Sequence, residues 1–234
     1  MIFVCPGFDE MNLLELSRLY SFPRVPELPP PDDGFVICDS GACALSQRGM
    51  RMSKVYIHRL AEHYQRYAGE RVYCVAPDEY LNPYQTMQNW QWWQETAADV
   101  PIVPVIQFER VKMLDLFIAM KQARFYAPYQ PQFLAISTPA TRAMESRAMI
   151  QICATVRRIT GVTWLHNLGA GWSPSDIAEW RDLNCFDSID SISYYQDAMR
   201  GWRWRLDGKR ERTGGNWREL ARHNARVAVE IASS

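Results

Sequence analysis

Short apolar runs alternate along this chain with longer segments in which apolar residues recur every three or four positions. That alternation predicts strands separated by helices. The runs at residues 2–5, 35–41, 71–78, 100–107, 133–137, 164–171 and 186–194 make seven strand candidates. Between them, Met11, Leu13, Leu14, Leu16 and Leu19 carry near-helical spacing and predict a short helix over 9–20. Ser53 predicts an N-cap for a helix to about residue 67, with Val55, Ile57, Leu60 and Tyr64 on its apolar side. Asn82 and Pro83 open another helix, which carries Trp90, Trp92 and Trp93, and further helices are predicted over 111–126, 141–159 and 216–231. Prolines 23, 26, 29, 30 and 31 stiffen a linker between the first helix and the second strand candidate.

Strand and helix in regular alternation is the pattern of a βα barrel or a doubly wound sheet. The expected fold is α/β, a (β/α)8 TIM-type barrel formed by residues 1–234 as one domain. With 234 residues the chain is short against the roughly 250 of a typical barrel, so one repeat is expected to be abbreviated. The segment from Trp164 to Gly171 and the run that follows, from Phe186 to Tyr194, form one βαβ unit. Paired glycines end its first strand and Asp190 ends its second.

Lys plus Arg and Asp plus Glu each total 26, so net charge gives no reason to expect nucleic acid or membrane, and only local clustering can. No apolar run approaches the ~20 residues that cross a bilayer. The opening Met1-Ile-Phe-Val-Cys-Pro has no basic n-region or cleavage site and reads as a strand. The six cysteines, Cys5, Cys38, Cys43, Cys74, Cys153 and Cys185, form no CxxC pair and lie near no His partner. They read as buried reduced thiols, which fits a cytoplasmic protein that needs no metal and no cofactor.

Three aspartates follow apolar strands directly: Asp39 in Cys-Asp-Ser-Gly, Asp78 in Val-Ala-Pro-Asp, and Asp190 in Ile-Asp-Ser-Ile-Ser. Parallel strands present their C-terminal ends to one side, so all three point into one mouth. A single aspartate there often does no more than cap the next helix. Three together raise one another's pKa, a cost that function explains. Gln107 stands at an equivalent strand end, where an amide suits the edge of a heteroaromatic base; a satisfied core amide is the other reading. Ser137 and Thr138 close the next strand. His166 lies within a strand and reads as a packed histidine.

Asp39-Ser-Gly-Ala, Leu165-His-Asn-Leu-Gly-Ala-Gly171 and Asp187-Ser-Ile-Asp190-Ser-Ile-Ser-Tyr194, in that order and spacing, resemble the tRNA-guanine transglycosylase superfamily. The last two are most similar to its archaeosine-type branch, and the likeness covers roughly residues 35 to 205. The resemblance implies a βα barrel that exchanges guanine in a nucleic acid for a free 7-deazaguanine base through a covalent aspartyl link to C1′. It implies that Asp190 is the nucleophile and Asp39 the general acid or base, and that Ser40 and Gly41 lie in the substrate-binding motif. It further implies that Asp78 and Gln107 read the base edge, that Leu168 lies against the base face, and that the Gly169 backbone comes close.

Where the family's Asp-Ser-Gly motif runs on to a stacking aromatic, this chain has Cys43. It lacks the C-terminal zinc pattern of the tRNA enzymes and any appended RNA-binding domain, and so resembles the short phage and bacterial-island branch that modifies DNA. DNA is therefore the expected partner, with tRNA the alternative. Residues 200–226 hold Arg200, Arg203, Arg205, Lys209, Arg210, Arg212, Arg218, Arg222 and Arg226 with Trp202 and Trp204 interleaved. Cations for phosphates beside aromatics for an extruded base suit a nucleic acid, although a solvated helix face explains part of the cluster. A non-catalytic base-binding subunit, a base-excising glycosylase and a nucleoside hydrolase are further readings.

Overall fold

The computed structural model describes residues 1–6, 16–24, 34–108, 116–137, 146–169 and 173–234. Eight strands form one sheet: β1 (Ile2–Pro6), β2 (Arg18–Ser21), β3 (Val36–Asp39), β4 (Val72–Cys74), β5 (Val105–Ile106), β6 (Phe133–Ser137), β7 (Trp164–Leu168) and β8 (Ser188–Asp190). Their order is β4-β3-β2-β1-β8-β7-β6-β5, and every ladder between them is parallel. This is the sequence order of a ring opened between β4 and β5. The sheet is a curled half-barrel, consistent with a TIM-like barrel, and its ladder does not close. At the gap a single parallel bridge joins Val75 to Val103, with Val103 N–H donating to Cys74 O at 2.7 Å and Ala76 N–H to Val103 O at 2.8 Å. Pro77, Pro101 and Pro104 surround that bridge and bring no ladder donor, which keeps the pairing short.

The degree of curl is set by what fills the concave side. Phe35 packs edge-on against Trp164 and Phe133, with centroids 5.7 and 6.3 Å apart, and Tyr73 packs against Phe133 at 4.7 Å. Side chains at the N-terminal ends of β3 and β4 thus meet those of β6 and β7, which stand far away in the sheet order. They form an aromatic floor at the bottom of the curl. The strands' C-terminal ends face the other way.

Among the described residues eight helices cover the outside: α1 (Ala42–Gln47), α2 (Lys54–Tyr67), α3 (Pro83–Thr96), α4 (Leu116–Tyr126), α5 (Ser146–Thr160), α6 (Pro174–Leu183), α7 (Ser193–Met199) and α8 (Trp217–Ser233). Ser53 caps α2 by accepting from Tyr56 N–H, and Asn82 caps α3 ahead of Pro83, as their sequence predicts. Ile57, Leu60 and Tyr64 are buried, but Val55 is 66% exposed because it falls in the first turn, off the apolar stripe. Tyr64 is fully buried and its hydroxyl donates toward Cys38 O and Val75 O, tying α2 to the strands beneath. Five cysteines are buried and Cys43 is exposed, all as free thiols.

Two expectations need correction, and a third holds in part. The helix over 9–20 is not what the described part of that segment forms: residues 18–21 are strand β2, in which Arg18 and Tyr20 are buried and Leu19 and Ser21 half-buried, a period of two. This is the eighth strand, missing from the seven candidates; Met11, Leu13 and Leu14 lie outside the described residues, as do most of the proline linker, Thr138 and Gly171. The run 186–194 is not all strand. It ends at Asp190, after which Ser191 accepts from Ser193 N–H and turns the chain into α7. Residues 200–226 are a helix face in part only: Arg218, Arg222 and Arg226 lie on α8, and an antiparallel hairpin of β9 (Trp202–Trp204) and β10 (Arg210–Arg212) precedes it.

Among the described residues no helix is long and apolar enough to cross a membrane.

Candidate active site

The C-terminal ends of β3, β4, β5, β7 and β8 bring the predicted polar groups together. Asp39 ends β3, and its Oδ2 accepts from Ser21 Oγ at 2.9 Å and from Gly41 N–H at 3.1 Å. Gly41 has φ 81° and caps α1. A Cβ there would stand 2.6 Å from Tyr56 Oη and 3.2 Å from Phe22 O, so only glycine fits. Tyr56 donates to Ser40 O at 2.8 Å, holding the turn from behind.

Asp78, 4% exposed, accepts on Oδ1 from Ser40 Oγ and on Oδ2 from Gln107 Nε2 at 2.5 Å. Gln107 is itself fixed from α4. Gln122 Nε2 donates to Gln107 O at 2.8 Å and Gln122 Oε1 accepts from Gln107 N–H at 3.0 Å. Gln107 is 1% exposed, and its Oε1 has no hydrogen-bond partner among the described residues. A buried acceptor left open beside a carboxylate suits a ligand that brings N–H donors along one edge.

On the opposite side of the curl, Asp190 Oδ1 accepts from Gly169 N–H at 2.9 Å and from His166 Nε2 at 3.1 Å. Gly169 has φ 75°, and a Cβ there would meet nothing within 4 Å. Leu168, one residue earlier, is half-buried against the core.

The electrostatics follow from carboxylates gathered in a dry mouth. Burial pushes the Asp39 carboxyl above its ordinary range, the Ser21 hydrogen bond opposes this, and the charge of Asp190 adds to it. Burial and then the Asp39 charge lift Asp78 to about 7, against the hydrogen bonds from Ser40 and Gln107. Burial and then the charges of Asp39 and Asp78 push Tyr56 up to about 12. Asp78 is thus a group able to carry a proton near neutrality, and the carboxyl of Asp39 is shifted in the same direction.

Ser21, Tyr56, Gln122, Ser188 and a bonded His166 were not anticipated as site residues. Gln122 had a signal, a polar side chain on the stripe of Ala119, Ala123 and Tyr126 that α4 buries.

The cationic segment is less open than its composition suggests. Arg203 reaches Glu211 at 3.8 Å, Arg205 pairs with Asp207 at 3.1 Å and Glu211 at 3.5 Å, and Lys209 lies 3.9 Å from Asp207. Arg210 donates to the buried Asp197 at 3.1 Å, a carboxylate that also accepts from Trp204 Nε1. Arg200 is exposed at the end of α7. Among the described residues no three His, Cys, Asp or Glu side chains are grouped to hold a metal ion.

No family model matches this chain, and no curated protein is similar to it.

Proposed function

We propose that this protein is a transglycosylase of the tRNA-guanine transglycosylase type, built on a (β/α)8 barrel, that exchanges guanine in DNA for a 7-deazaguanine base. The observation that carries the reading is the division of labour at one mouth. Asp190 is held through one oxygen by Gly169 and His166, while Asp39, whose carboxyl burial pushes upward, and the Asp78–Gln107 pair sit across from it.

Asp190 Oδ2 attacks C1′ of the target nucleotide as the C1′–N9 bond breaks, and the electron pair leaves with guanine. Asp39 gives the departing base its proton. The incoming base then loses its N9 proton to the Asp39 carboxylate, bonds to C1′ and displaces Asp190, so two inversions restore the sugar configuration. Gln107 Oε1 and Asp78 accept from the ring N–H and exocyclic amine of the base. DNA as the polymer rests on the resemblance to the short branch.

The test is incorporation of a labelled 7-deazaguanine base into guanine-containing DNA and tRNA by the purified protein. Label enters DNA with the wild type and not with Asp190→Asn, which stays folded and still binds DNA, nor with Asp39→Ala. Label in tRNA alone reassigns the polymer. Label in neither, or near-wild-type incorporation by Asp190→Asn, overturns the reading.

A further inference from the structure

We infer that His166 is the positioning residue for Asp190, the last link of a one-way hydrogen-bond chain that runs Trp164, Ser188, His166, Asp190. The inference rests on Asp190 being the nucleophile. Trp164 and His166 are two apart on β7, Ser188 and Asp190 two apart on β8, and His166 stands in register with Ser188. A period of two puts all four side chains on one face, so they interleave up the concave wall.

The distances join them in a single line. Trp164 Nε1 lies 2.8 Å from Ser188 Oγ, His166 Nδ1 lies 2.7 Å from that oxygen, and His166 Nε2 lies 3.1 Å from Asp190 Oδ1. With one hydrogen on the imidazole, the two ends fix the direction of every proton between them. An indole N–H can only donate, so Ser188 Oγ accepts from Trp164 and has its own hydrogen left for His166 Nδ1. An ionised carboxylate can only accept, so the hydrogen on the imidazole sits on Nε2. The neutral Nε2–H tautomer completes both conditions at once, and Ser188 selects it.

Packing alone explains a histidine with no exposed surface, and the ring does rest edge-on against Phe133 of the floor, at 6.1 Å. Packing does not explain two well-placed polar contacts that agree in direction. Their effect falls on the carboxylate. With Oδ1 held by the imidazole and by Gly169 N–H, rotation about Cβ–Cγ breaks both bonds, so Oδ2 stays turned to the mouth. His166 touches neither base nor sugar in this scheme and acts through Asp190.

Three variants separate this role from bulk. His166→Gln keeps a donor for Asp190 and an acceptor for Ser188. His166→Phe fills the space with neither. Ser188→Ala removes the group that selects the tautomer. Long-range 1H–15N spectra of the wild type should show His166 protonated on Nε2 alone, and in Ser188→Ala that single form should be lost. Single-turnover formation of the Asp190 adduct should fall roughly 10- to 100-fold in His166→Phe, the effect of losing one hydrogen bond to a charged group. In His166→Gln it should stay within about fivefold of wild type, the donor being retained. The apparent KM for the free base should be unchanged in both. A wild-type proton on Nδ1, adduct formation in folded His166→Phe at the wild-type rate, or His166→Gln as slow as His166→Phe would each overturn the inference. Should His166→Phe fail to fold, the spectra of wild type and Ser188→Ala decide. Should the wild type form no adduct at all, the transglycosylase reading fails, and the spectra still test the chain.

Discussion

Replacing Asp78 by Asn removes a carboxyl that the fold forces to keep its proton, and the consequence for stability can be worked through. In the folded protein this group titrates at about 7, against 3.8 for the free side chain. Below pH ~4 the folded and unfolded chains both hold the proton, and the group's contribution is fully present. As pH rises toward 7 the unfolded chain has already released its proton and the folded chain has not, so stability falls through that window and levels off above it. At ~1.4 kcal/mol per tenfold, the gap between 3.8 and about 7 sets an upper figure of about 4 kcal/mol lost by pH 8. Asp39, also raised, contributes in the same direction. An asparagine carries none of this penalty. Ser40 can still donate to its oxygen, and Gln107 can turn its amide so that Oε1 receives the new N–H2, which leaves Nε2 in the unpartnered place that Oε1 held. The variant should therefore be more stable than wild type at pH 8, by about 1–3 kcal/mol after losing charge-assisted bonds, and Tm should rise on the order of 2–4 °C per kcal/mol. Urea unfolding followed by tryptophan fluorescence from pH 5 to 8 should give a falling curve for the wild type and a flatter one for Asp78→Asn. Parallel curves, or a less stable variant at pH 8, would refute the reasoning.

Three further outcomes are expected. Gly41→Ala places a side chain at φ 81° and against Tyr56 Oη, costing ~1–2 kcal/mol for the left-handed backbone alone; a thermal melt that does not move would show that the turn yields. Gln122→Ala strands the buried N–H and C=O of Gln107, so the denaturation midpoint should fall by the equivalent of about 2–4 kcal/mol and affinity for a free 7-deazaguanine base, measured calorimetrically, should fall with it. Arg203→Ala with Arg205→Ala should lower the salt slope of DNA binding by about one per lost phosphate contact; an unchanged slope assigns both side chains to their ion pairs with Asp207 and Glu211.

The placing of polar groups at the strand ends was legible because it needs only local information. An aspartate or amide directly after an apolar run reads the same in sequence and in space once the strands are parallel, and Asp39, Asp78, Gln107 and Asp190 all follow that rule. What escaped was of two kinds. Ser21, Gln122 and Ser188 act through partners 15 to 22 positions away, and no spacing announces such pairs. Strand β2 and the β9–β10 hairpin escaped because a stronger pattern hid the period of two. Leucines at helical spacing masked Arg18-Leu-Tyr-Ser21. The density of cations around Trp202-Arg-Trp-Arg205 drew attention to charge, although exposed Arg203 and buried Trp204 already alternate as a strand does.

The ring of Phe35, Tyr73, Phe133 and Trp164 gives the curl an aromatic floor at the end away from Asp39 and Asp190. In the proposed exchange, a base that enters between Asp39 and Asp190 meets that floor and leaves on the side it came from. The proposal thus has the leaving and the incoming base take turns in a single berth. Visiting in sequence, each competes with the other for the empty cup, so an excess of either slows the round trip. Initial rates measured against both guests below the inhibiting concentrations should draw parallel lines in a double-reciprocal plot, and the slope should rise once either is in excess.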